Sequence, residues 1–83
     1  MFYAKMLTIM NAEPAIINTE LLGFYTMKDR EQFIEENKDN SSILSFEKIT
    51  SAQRRKLKTI HIGSASFKDG RYNIFRFFIV NQG

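Results

Sequence analysis

Residues 59–80, TIHIGSASFKDGRYNIFRFFIV, decide the fold. Two runs rich in β-branched and aromatic residues meet at Asp69-Gly70, a dipeptide that readily takes the positive φ values of a type I′ hairpin turn. With Lys68 facing Arg71, the predicted pairing sets Phe67 against Tyr72, Ala65 against Ile74 and Gly63 against Arg76. It then continues as Ile62 with Phe77, His61 with Phe78 and Ile60 with Ile79. Side chains alternate along a strand, so the hairpin has two unlike faces. One collects Ile60, Ile62, Phe75, Phe77 and Ile79 and reads as core. The other carries Phe67, Tyr72, Ile74, Phe78 and Val80 with His61 and Arg76. That second surface is too apolar to stand in water on a stable monomer. Phe67, Tyr72, Ile74 and Phe78 are therefore candidate interface residues, and a homodimer is expected.

Outward from the hairpin, Thr50 and Gln53 have the spacing of a capping box, in which each side chain bonds the other's backbone amide. They predict a short basic helix over Ser51 to Leu57, anchored by Ala52 and Leu57. Further back, Thr26 is placed to accept from the free amide of Asp29, which predicts a helix over Met27 to Glu36 buried through Met27, Phe33 and Ile34. Strands are read at Phe2 to Met10, Leu21 to Tyr25 and Ile43 to Lys48. Asn11 to Glu20 contains Pro14, which lacks a ladder donor, and reads as a loop or edge segment. The fold class that follows is α+β. It is a small antiparallel or mixed sheet of about four to five strands ending in the C-terminal hairpin, with two short helices packed on one face.

The 83 residues suffice for one domain, residues 1–83, with one thin core. A hydrophobic fraction of 43% with 25% charged residues is too apolar for a disordered chain. The absence of cysteine excludes disulfides, thiolate metal sites and cysteine nucleophiles. His61 is the single histidine, so a histidine ligand cluster is impossible; it reads as a sheet residue. Glu31 and Glu35 lie one turn apart, an arrangement that a solvated helix face already explains. Gly23, Gly63, Gly70 and Gly83 are too dispersed for a phosphate-cradling loop. No catalytic constellation, cofactor or metal site is expected, and the chain reads as a binding protein rather than an enzyme. No run reaches the roughly 20 apolar residues of a membrane span. The start, with Lys5 inside a short apolar stretch, is unlike a signal peptide, so a cytoplasmic, unprocessed chain with no membrane partner is expected.

Charge is unevenly placed. Residues 1–50 hold five basic and eight acidic side chains, a net −3, whereas residues 51–83 hold seven basic and one acidic, a net +6. Such a field attracts polyanions. Arg54, Arg55, Lys56 and Lys58 put four cations in five residues, more than a helix dipole requires, and are the first candidates for RNA phosphates. Lys68, Arg71 and Arg76 are weaker ones. The GRYNIFRFF run mixes arginine with aromatics as RNA-binding sheets do, although it lacks the fixed spacing of the RNA-recognition-motif signature. A purely protein-binding inhibitor or regulatory subunit acting through the apolar hairpin face is the alternative.

A first strand followed by TMKDREQFIEEN (26–37) and ITSAQRRKL (49–57), in a chain rich in Lys, Asn, Ile and Phe, resembles small early proteins of T-even-like phages. Among these it is most similar to the TifA-type inhibitors of ToxIN, a toxin–antitoxin ribonuclease of the host. The resemblance implies a phage counter-defence protein in the host cytoplasm, with the toxin ribonuclease as target, RNA as co-ligand and a homodimeric form.

Overall fold

The computed structural model describes residues 1–67 and 72–81; of residues 65–67, 72 and 81 it describes the backbone alone. The chain forms β1 (Phe2–Met10), β2 (Ile16–Phe24), α1 (Met27–Asn37), β3 (Ile43–Ile49), α2 (Ser51–Arg55), β4 (Lys58–Phe67) and β5 (Tyr72–Asn81). This is an α+β fold on one five-stranded sheet of order β3-β1-β2-β5-β4, antiparallel at every pairing. β3 and β4 are its edges.

Both helix starts follow from local chemistry. Thr26 Oγ1 accepts from the Asp29 amide at 3.1 Å. At α2 the capping box is complete: the Gln53 amide donates to Thr50 Oγ1 at 3.1 Å and the Thr50 amide donates to Gln53 Oε1 at 2.8 Å. β2 departs from expectation. It begins at Ile16, five residues earlier than read, and lies in the middle of the sheet between β1 and β5. Pro14 does not interfere because it falls in the connection before the strand, where its missing amide is not needed.

The core lies between the sheet and α1. Ala4, Met6, Leu22, Phe24 and Ile74 form the sheet side, and Phe33 fills it from the helix, 5.6 Å from the Phe24 ring and 5.9 Å from that of Phe46. Met27, expected in this stripe, is exposed. Arg30 is buried instead, donating to the Tyr3 carbonyl at 3.2 Å while its guanidinium lies over the Phe2 ring. A charged head can take such a place when its stem packs and its N–H groups find acceptors. Eleven helical residues rise only about 16 Å, roughly half the length of a ten-residue strand. Consequently α1 covers one end of this face and leaves Ile60, Phe78 and Val80 exposed on the β4–β5 side.

The two helices do not share a face. The α2 segment lies against the opposite surface, with Arg54 over Tyr3 and Phe77. The reason is topological: β3 and β4 are opposite edges, so the chain joining them must cross the sheet, and α1 already occupies the other side.

The β4–β5 pairing agrees with the sequence reading for Phe67 with Tyr72, Ala65 with Ile74 and Gly63 with Arg76, then shifts. Ile62 is an extra residue on β4, a bulge, after which His61 faces Phe77 and Ile60 faces Phe78. Gly63 beside it has φ +150°, a conformation that side-chain-bearing residues rarely adopt. The bulge and the central place of β5 rearrange the expected faces. Ile74 goes to the α1 core; Phe75 and Phe77 lie half-buried on the α2 side, and Ile60 and Ile62 are exposed. The turn read at Asp69-Gly70 lies outside the described residues.

Phe33 joins α1 to two different strands through its ring contacts with Phe24 and Phe46. Phe33→Ala should lower unfolding free energy by about 3–4 kcal/mol, measured by urea titration. A loss below about 1 kcal/mol would mean that α1 is not held by this contact.

Candidate nucleic-acid interface

The basic helix is placed by one of its own cations. Arg54 leaves α2 toward the sheet, its guanidinium carbon 5.0 Å from the Phe77 ring centroid and 5.5 Å from that of Tyr3. Its Nη2 donates to Thr59 Oγ1 at 3.0 Å, tying α2 to the start of β4. Arg54 Nε is buried with no protein acceptor among the described residues. Gly23 helps to shape the site: it faces Tyr3 in the ladder, and a Cβ there would come within 3.2 Å of the Tyr3 ring and 2.7 Å of Met1 Sδ. Arginine suits this position because its planar, weakly hydrated head stacks on aromatic faces. Arg54 is thus an anchor of α2, the role expected of Ala52, which is exposed; Leu57, the other expected anchor, is half-buried.

Of the other six candidate cations, Arg55, Lys56 and Lys58 are exposed, and none has a carboxylate partner among the described residues. Arg76 is separated from them. It faces Leu22 in the ladder, which puts it on the α1 side of the sheet, and its Nε lies 2.9 Å from Glu20 Oε1. Lys68 and Arg71 lie outside the described residues. The five described cations are therefore not one patch: three stand on the α2–β4 segment without a carboxylate partner among the described residues, one is stacked on the sheet, and one is paired on the far side.

No family model, curated protein or solved structure matches the chain. Its own geometry carries the functional argument.

A row of π-systems crosses the α2 side of the sheet. Tyr25 meets Phe75 edge-to-face at 5.2 Å; His61 is 6.4 Å from Phe75 and 5.1 Å from Phe77; Arg54 then bridges Phe77 to Tyr3. His61 is a sheet residue as read, exposed on this face. Tyr25 and Phe75 did not figure among the candidate site residues. The alternation of Phe75 and Phe77 was the available signal, and it was read as core. Of the expected interface residues, Ile74 is 1% exposed and sealed in the α1 core, so it offers nothing to a partner. Phe78 is exposed beside Ile60 and Val80, whereas the side chains of Phe67 and Tyr72 lie outside the description.

Two carboxylates of α1 are engaged internally. Glu31 accepts from Lys48 at 2.5 Å and from Arg30 at 3.2 Å, and chiefly the Lys48 bond holds its carboxyl below the usual glutamate range. Glu35 pairs with Lys38. Among the described residues no three His, Asp or Glu side chains gather as metal ligands, and no helix is long and apolar enough to cross a membrane.

Arg54→Ala should cost about 1–2 kcal/mol in urea unfolding, since it removes a stacked cation and a bond to Thr59. Arg54→Lys should recover little of this, and Arg55→Ala should stay within about 0.5 kcal/mol of the parent. Equal effects at the two positions would contradict the anchoring role.

Proposed function

We propose that the protein is a non-catalytic RNA-binding protein whose phosphate contacts are Arg55, Lys56 and Lys58. The observation that carries this reading is the exposure of these three cations, without carboxylate partners among the described residues, beside a sheet face of aromatic rings. Exposed lysines and arginines that make no internal pairs offer phosphate oxygens charge at little cost in broken bonds. Arg54 contributes by holding α2 in place. Lys68 and Arg71, outside the described residues, are secondary candidates on charge alone. The resemblance to TifA-type phage proteins supplies the setting: a counter-defence protein of the host cytoplasm that inhibits a toxin–antitoxin endoribonuclease.

The exposed apolar surface of Ile60, Phe78 and Val80 supports self-association. These side chains lie on the side of the sheet away from α2, so a second copy seated there leaves Arg55 and Lys56 clear. A protein-binding inhibitor acting without nucleic acid would use the same surface for its target. Phe78→Glu should convert a dimer to a monomer in sedimentation at micromolar concentration while RNA affinity per chain is retained. A parent protein that is wholly monomeric would remove the dimer and leave this surface to a target protein.

Replacing Arg55, Lys56 and Lys58 together with alanine should reduce affinity for single-stranded RNA and make the slope of log K against log salt shallower by about 2, given about 0.7 counterions released per phosphate contact. Fluorescence anisotropy over a salt series reads both. A folded triple variant with unchanged affinity and slope would remove the assignment.

A further inference from the structure

We propose that the α2 side of the sheet is a base-stacking platform for single-stranded RNA, with Tyr25, His61 and Phe75 as its stacking residues. This rests on the RNA-binding reading above and extends it from phosphate attraction to recognition of the bases.

Three observations carry it. First, the rings are contiguous, with neighbouring centroids 5.1–6.4 Å apart from Tyr25 through Phe75 and His61 to Phe77. Base and side-chain rings that stack one after another need a continuous π surface of this kind, and any base can use it because every base has a π face. Second, the surface is open. Tyr25 is 59% exposed and His61 is exposed, while the β4 residue facing Phe75 is Ser64, too small to cover the ring. Third, the row ends on Arg54, and the free cations begin at the next residue, Arg55. Phosphates held by Arg55 and Lys56 would bring the attached bases to the start of the row. That succession of cation and rings, on a segment of net positive charge, selects a polyanion with aromatic groups over an apolar peptide.

The α1 side lacks this combination. Its exposed large hydrophobic side chains on β4 and β5 include Ile60, Phe78 and Val80, and Arg76 on this face is paired with Glu20.

The test compares two probes, single-stranded oligoadenylate of about twelve nucleotides, a length within the reach of one small binding face, and inorganic polyphosphate of similar charge. Tyr25→Ala combined with His61→Ala, both at exposed positions, should weaken oligoadenylate binding about tenfold or more, the loss of a stacked base. Polyphosphate affinity should be unchanged, and Tyr25→Phe should bind oligoadenylate like the parent. Unchanged oligoadenylate affinity in the folded double variant would overturn the platform, as would an equal loss for both probes. In either case Arg55→Ala with Lys56→Ala would still weaken both probes if the phosphate contacts are right. Failure of the parent protein to bind either probe would overturn both readings.

Discussion

A five-stranded sheet has two faces to cover, and here the chain supplies one eleven-residue helix and one five-residue helix to do it. The coverage is therefore partial on both sides, and most of the surface character follows from that shortage. On the α1 side, Phe33 seals the end formed by Ala4, Met6, Leu22, Phe24 and Ile74, and the other end stays apolar and open. On the other side, no hydrophobic side chain of α2 is fully buried. An arginine spans Tyr3 and Phe77 instead.

That substitution of a stacked cation for an apolar anchor has consequences for charge. A leucine at position 54 would bury its whole side chain and leave the helix to its propensity. Arginine brings a positive charge onto an aromatic floor, where the ring quadrupoles favour it. The same residue closes on Thr59, fixing how α2 leads into β4 and hence where Arg55, Lys56 and Lys58 project. Structure and candidate function thus meet at one residue, whose task is to position the others.

Local chemistry was legible in the sequence. Thr26 and the Thr50–Gln53 pair announce both helix starts because a cap needs only residues three apart. The register nearest the hairpin turn was legible for the same reason. What the sequence hid are properties of the third dimension. A one-residue bulge at Ile62 leaves no mark in the hydrophobic pattern, yet it moves the pairs of His61, Ile60 and Thr59 by one, putting His61 with Phe77 instead of Phe78, before a second shift between Thr59 and Lys58. Arg54 looks identical to Arg55 in sequence; only the fold brings Tyr3, far away along the chain, beneath one of them. Arg76 looks like part of the same basic run, and the strand parity that sets it against Glu20 shows only once β2 is known to neighbour β5.

Among the described residues, the charge excess of residues 51–83 resolves into Arg55, Lys56 and Lys58, exposed and without carboxylate partners, and an aromatic surface beside them. Isotope-edited NMR of the protein titrated with single-stranded RNA tests this most directly. The account predicts shift changes confined to α2, Lys56 and Lys58 and to the sheet face of Tyr25, His61 and Phe75, with Phe78, Val80 and α1 unmoved. Absence of any shift at saturating RNA, or shifts centred on Ile60 and Phe78, would contradict it.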